Sequence, residues 1–175
     1  MNGPVVLVLA SGRGERFRAS GGQGSKLQAQ LGGQPVLDRT LAAVRASGLR
    51  LHVEDAGHPG MGDSIAAAVR ATADADGWLV LPGDLPLVQP ASLRAVAAAL
   101  QQASVVVPTY QGRRGHPVGF GAVHGAALQA LSGAEGAAAI VQRAVSLLVP
   151  LDDPGLVTDI DTLDDLAQAE ARLRG

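Results

Sequence analysis

Residues 5–10 read VVLVLA and stop at Ser11-Gly12. A short apolar run with no polar residue alternating through it belongs to a strand buried on both faces. Similar runs recur at 78–81 (WLVL), 104–107 (SVVV) and 147–151 (LLVPL), with a shorter one at 118–120, and 49–53 (LRLHV) reads as a further strand. Between them lie segments with helical spacing. Residues 35–47 place Val36, Leu37, Leu41 and Val44 on one face and end at Gly48. Residues 63–73, 92–102, 122–131, 135–144 and 163–174 read the same way. This alternation predicts an α/β fold with a mostly parallel sheet and helices on both faces. No repeat, linker or change of composition interrupts it, so residues 1–175 are expected to form one domain.

Composition narrows the functions open to such a fold. Hydrophobic residues are 47% and charged residues 17% of the chain, which excludes disorder. With two Phe, one Tyr and one Trp the core must be aliphatic, and a stacking platform for bases is not expected. A net charge of −2 gives no general attraction to nucleic acid. There is no cysteine, so disulfides and thiolate metal sites are excluded. No apolar stretch has the length of a membrane span, and the N-terminus carries no signal-peptide pattern. A cytoplasmic protein without membrane or nucleic-acid partners is expected.

In open parallel sheets ligands bind beyond the carboxyl ends of the strands. The charged, glycine-rich segments of this chain fall there. Gly12-Arg13-Gly14 is not a dinucleotide fingerprint, because Phe17 stands where a third glycine is required. It is not a Walker loop either, because Lys26 is followed by Leu27. What remains is a strand, a turn of small residues and then Arg16 and Lys26. Those parts bring backbone N–H groups and positive charge onto phosphate oxygens. A solvated surface loop is the competing reading. Asp84, in the GDLP string at 83–86, ends the third run. A carboxylate there suits a hard divalent cation, and a turn aspartate bonding its own backbone suits it as well.

Three other strings carry candidates. In DIDTLDDL (159–166), Thr162 and Asp165 read as the cap and capping box of the last helix. That leaves Asp159 and Asp161, two apart on an extended segment and hence on one side of it; one of them would be a second metal carboxylate. GMGDS (60–64) reads as a helix entry or as backbone brought close to a ligand. Arg113 and Arg114, ahead of Gly115 and His116, suit anion recognition or form a hairpin tip. His116 has no partner at metal-ligand spacing, and His52, His58 and His124 are scattered without an assignable role.

Taken in order, these strings resemble the MobA-like nucleotidyltransferases, and within them the CTP:molybdopterin cytidylyltransferase branch. The family's L-A-A-G loop, R-F pair, lysine and G-G-x-P-L-L appear as Leu9-Ala10-Ser11-Gly12, Arg16-Phe17, Lys26 and Gly32-Gly33-Gln34-Pro35-Val36-Leu37. Its G-M-x-x-S, G-D-x-P, P-T-Y…G-R-x-G-H-P and D-I-D-T-P-x-D-L follow at 60–64, 83–86, 108–117 and 159–166. The resemblance implies a Rossmann-like three-layer sandwich of nucleotidyltransferase type and an Mg²⁺-dependent enzyme. That enzyme would move CMP from CTP onto a phosphorylated acceptor, molybdopterin, with release of pyrophosphate. A guanylyltransferase, a sugar-phosphate nucleotidyltransferase and a non-catalytic nucleotide-binding module are the alternatives.

By the same resemblance Arg16, Lys26 and Asp84 would be catalytic. Leu9, Ala10, Ser11, Gly12, Arg13, Gly14, Lys26, Gly60, Met61, Gly62, Ser64, Pro82 and Gly83 would bind the nucleotide. Arg113, Arg114, Gly115 and His116 would bind the acceptor, and Asp84, Asp159 and Asp161 the metal. A molybdoenzyme or its chaperone would be the protein partner. Several departures stand out. Ser11 replaces a smaller residue, and Leu163 replaces a proline. The interval from Arg16 to Lys26 is long, so Lys26 is expected to reach back from a flexible loop. The helix ending at Ser47 is followed almost at once by the 49–64 segment, so one strand–helix unit is expected to be missing.

Overall fold

The computed structural model describes residues 2–12 and 14–175. At its centre β1 (Pro4–Leu9) pairs in parallel with β4 (Arg50–Glu54) on one side and β5 (Gly77–Pro82) on the other. Beyond β5 lies β8 (Val118–Gly121), antiparallel to it, and then β6 (Val105–Tyr110), again antiparallel to β8. β6 also carries β7 (Arg113–Arg114) as a hairpin and β9 (Leu147–Pro150) in parallel. The parallel alternation expected from the sequence thus holds for β1, β4, β5, β6 and β9. β8 departs because the chain turns back through the β6–β7 hairpin before the strand forms.

Both faces of the central strands are buried, which is why their sequences are unbroken apolar runs. On one face Val6, Val8, Leu79, Leu81 and Val106 meet Leu41 and Val44 of α2 (Val36–Ser47) and Leu93 and Val96 of α4 (Pro90–Ala99). On the other, Val5, Leu7, Trp78, Val105 and Val107 pack with Ile65, Ala68 and Val69 of α3 (Met61–Ala71) and Leu128 of α5 (Gly125–Gln129). α6 (Ala138–Arg143) covers the same side further out. α2 stops at Gly48, whose φ of 76° is the left-handed cap expected of glycine.

A third cluster pins the parts that border the cleft. Leu27, Leu31 and Val36 pack with Ile160 and with Ala169 of α7 (Leu163–Arg174). Leu31 belongs to a two-stranded ladder, β2 (Gln30–Leu31) with β3 (Gln34–Pro35), too short to be read from the sequence. Thr162 and Asp165 form the expected capping box of α7. The expected flexible loop before Lys26 is instead built. α1 (Glu15–Ala19) fills its first half, and Ser20 Oγ accepts a hydrogen bond from the Leu163 N–H at 3.0 Å. Lys26 then opens a 3-10 turn capped by Ser25. β4 is the last strand on its side of the sheet and leads to α3 with no strand or helix between them. No helix among the described residues is long and apolar enough to cross a membrane.

Candidate active site

The carboxyl ends of β1 and β5, with β7 beside them, open onto a cleft of about 530 Å³, within the usual range for small-molecule sites. One wall is the first loop, with Leu9, Ser11, Gly12, Arg16 and Lys26; facing it is the start of α3, with Gly60, Met61 and Ser64. Pro82, Gly83 and Asp84 form the floor, and Arg113, Arg114, Gly115 and His116 the far side, with Asp159 and Asp161 closing the end near α7. Gly14 borders a shallower depression beside Lys26, Arg16 and Asp161. Ala10 and Gly62 do not line the cleft. Ala10 donates its N–H to the Glu54 carbonyl, and Gly62 N–H bonds the Gly133 carbonyl, where any side chain would strike the backbone at 132–135. Arg13 lies outside the described residues.

At the floor, the Lys26 ammonium donates to Asp84 Oδ2 at 2.8 Å and to Asp161 Oδ1 at 2.9 Å. Arg16 reaches Asp161 Oδ2 from the rim at 3.4 Å, with its side chain 79% exposed against 14% for Lys26. The turn holding Asp84 is fixed from several sides. Gly83 N–H donates to the Leu9 carbonyl at 2.9 Å, and the Asp84 carbonyl accepts from Ile160 N–H at 2.9 Å. Gly83 has no room for a side chain against Leu9 and Leu37. Asp84 is therefore a built position and not a self-bonding turn residue.

One carboxylate oxygen from each of Asp84, Asp159 and Asp161 lies within 4.8 Å of the others. Among the described residues, three carboxylates against the cations Lys26 and Arg16 leave the cluster short of positive charge. Burial pushes the Asp159 carboxyl up to about 6, with the hydrogen bond to Asp161 and that neighbour's charge adding to it. Asp161 is held below the usual carboxylate range: burial opposes this, but its hydrogen bonds with Asp159 and Lys26 outweigh it. Lys26 is raised in the same way, its burial overcome by Asp84 and Asp161. Among the described residues Asp84 Oδ1 is buried without a hydrogen-bond partner. A hard divalent cation would match this all-oxygen donor set, and held by Asp84, Asp159 and Asp161 it would satisfy that orphaned oxygen and relieve the repulsion between Asp159 and Asp161.

Two further features were not legible in the sequence. His58 lines the cleft, and its Nε2 is 2.9 Å from Glu54 Oε1, while His52 Nε2 is 3.0 Å from Oε2 of the same carboxylate. Only its place beside Pro59-Gly60 at a helix entry signals a cleft position. Ser11 and Ser64 join the two walls through hydroxyls 2.9 Å apart. On the far side His116 Nδ1 is buried without a partner among the described residues, and burial lowers the pKa of the ring, the nearby Asp84 charge opposing this.

A family model, the MobA-like NTP transferase domain, matches residues 42–148, more than half of the chain. The chain belongs to this family. Bifunctional protein GlmU of Xanthomonas campestris pv. campestris is 29% identical to it over 141 residues, 67% of this chain. The chain spans 30% of the length of that curated relative. Among solved structures, Rv0371c of Mycobacterium tuberculosis superposes with a TM-score of 0.82 at 23% identity, covering 97% of this chain and 98% of that one. A manganese complex of Rv0371c aligns over the same shares with a TM-score of 0.72 at 21% identity. Molybdopterin-guanine dinucleotide biosynthesis protein A of Archaeoglobus fulgidus aligns with a TM-score of 0.70 at 19% identity, covering 97% of this chain and 98% of that one. These superpositions establish the MobA-like nucleotidyltransferase fold.

Proposed function

We propose that the chain is an Mg²⁺-dependent nucleotidyltransferase that transfers CMP from CTP to a phosphorylated acceptor of the molybdopterin type. The observation that carries this reading is the floor of the cleft, where Lys26, Arg16 and three carboxylates meet beneath a glycine loop. An oxygen of the acceptor's phosphate attacks the α-phosphorus, the bond from that phosphorus to the β-phosphate oxygen breaks, and pyrophosphate leaves. Such a transfer needs alignment and charge neutralisation, not a covalent nucleophile. Asp84, Asp159 and Asp161 would hold the metal, which when bound neutralises charge on the phosphates. Ser11, Gly12 and the start of α3 enclose the nucleotide, Lys26 and Arg16 face the triphosphate, and Arg113, Arg114 and His116 meet the acceptor. The manganese complex of Rv0371c and the name of the Archaeoglobus protein agree with a divalent ion and a pterin acceptor. The cytidine preference rests on the resemblance of the first loop to the cytidylyltransferase branch.

Pyrophosphate release, measured over the four nucleoside triphosphates with molybdopterin and several sugar phosphates, tests the reading. Release with CTP and molybdopterin is expected. Release with GTP, or with a sugar phosphate, moves the assignment within the family. Nucleotide binding without any release reduces the chain to a binding module.

A further inference from the structure

Lys26 Nζ bonds two of the three carboxylates that would hold the metal. The ammonium stands 2.8 and 2.9 Å from Asp84 Oδ2 and Asp161 Oδ1, whereas Mg²⁺ or Mn²⁺ binds carboxylate oxygen at roughly 2.1 Å. An ion ligated by those two oxygens would overlap the ammonium or face it at a distance where two cations repel. Filling the metal position through those two oxygens therefore requires Lys26 to leave.

Its exit is built. Leu27 is buried and Ser25 caps the turn, so the Lys26 backbone is anchored. The side-chain stem runs beside the first loop, passing about 3.8 Å from where a Gly14 side chain would begin. A swing of the four-carbon stem would carry Nζ away from Asp84 and into the adjoining depression lined by Gly12, Gly14, Glu15, Arg16 and Asp161. Arg16 has no such part. It is mostly exposed, and among the described residues its ion pair is with Asp161 Oδ2 alone, at 3.4 Å.

We propose that Lys26 is a resident counter-cation of the metal position, displaced only when the nucleotide's phosphates offer the ammonium a new partner. The inference rests on the metal-dependent reading above. A metal ion alone has to strand a half-buried ammonium beside itself, and phosphates alone have to draw Lys26 off two carboxylates. Each binding step removes the obstacle to the other. Metal and nucleotide are thus coupled through one side chain, and the coupling is reciprocal.

The test is Mn²⁺ binding by the nucleotide-free protein, followed through the electron paramagnetic resonance signal of free Mn²⁺, with the thermal midpoint recorded in parallel. Wild type is compared with Lys26→Met, Lys26→Gln and Arg16→Met. Both Lys26 variants are expected to bind Mn²⁺ at least about tenfold more tightly than wild type, within the usual span of coupling between sites. They should also gain a larger rise in thermal midpoint on adding Mn²⁺. Arg16→Met, which removes the same charge from the rim, should change affinity by less than about threefold, as exposed charges interact weakly. If Lys26 variants bind no more tightly than Arg16→Met, the counter-cation role is overturned while the metal position stands. If no protein of the set binds Mn²⁺, the metal-dependent reading falls and this inference with it. Lys26→Gln keeps the test open should Lys26→Met fail to fold.

Discussion

Thr40 Oγ1, fully buried on α2, donates a hydrogen bond of 2.8 Å to the carbonyl of Gly83, the residue next to Asp84. A helix on one face of the sheet thereby fixes the turn that carries the floor of the cleft. Thr40→Val keeps the shape and removes the donor, leaving a buried carbonyl unsatisfied at a cost of roughly 1–3 kcal/mol. Urea denaturation should show that loss, and turnover should fall with it because the Asp84 turn is no longer held.

Asp84→Asn keeps the volume of the side chain and removes its charge. Metal-dependent turnover should be abolished while the circular dichroism spectrum is unchanged, and wild-type-like turnover would remove Asp84 from the mechanism. Lys26→Ala should chiefly raise the KM for the nucleotide and lower kcat; if both stay at wild-type values, Lys26 does not act on the triphosphate.

Gly115 has no space for a side chain, because a β-carbon there would enter the Leu156 carbonyl. That same carbonyl accepts the His116 N–H at 3.0 Å. Gly115→Ala should therefore push the segment holding Arg113, Arg114 and His116 off the turn at Pro154–Val157, with a stability loss of about 1–3 kcal/mol. Steady-state kinetics should show the acceptor KM rising well above any change in the nucleotide KM. Equal effects on both would place this segment away from the acceptor.

Glu54 gives the expected pH response of the fold. Burial alone would raise its pKa, but hydrogen bonds from His58 and His52 and their charges outweigh it, and the net shift is below the ordinary 4.5. The unfolded chain then holds this proton more tightly than the folded one. The stabilisation is present above the unfolded value and is lost as pH falls through the lower folded value. Thermal midpoints measured from pH 7 to pH 3 should fall more steeply for wild type than for Glu54→Gln. Parallel curves would mean that the two histidines leave Glu54 unshifted.

The central strands were legible because burial on both faces writes itself as an unbroken apolar run, as in β1 and β5. The capping box of α7 was legible for a similar reason: Thr162 and Asp165 are three residues apart and need no distant partner. Asp159 and Asp161, two residues apart, bring their carboxylates together beside that of Asp84. The direction of β8 was not legible, since a strand's pattern is the same whichever way it runs. Nor was the order of the interval before Lys26. It depends on Ser20 meeting Leu163, residues 143 apart in the chain. His58 escaped for the same reason: its place in the cleft follows from Glu54 and from how α3 lies against β4. Local pattern reveals what a residue's neighbours in sequence decide, and the cleft is largely decided by neighbours in space.

β4 ends the sheet on its side, and a terminal strand invites a strand of another molecule to pair with it. Here that invitation is blunted by charge. Arg50, at one end of the strand, is held in an ion pair with Asp74 at 3.1 Å, and Glu54, at the other, is clasped by two imidazoles. Any added strand would have to desolvate both ends at once. The polar ladder along β4 thus acts as a guard against edge-to-edge aggregation.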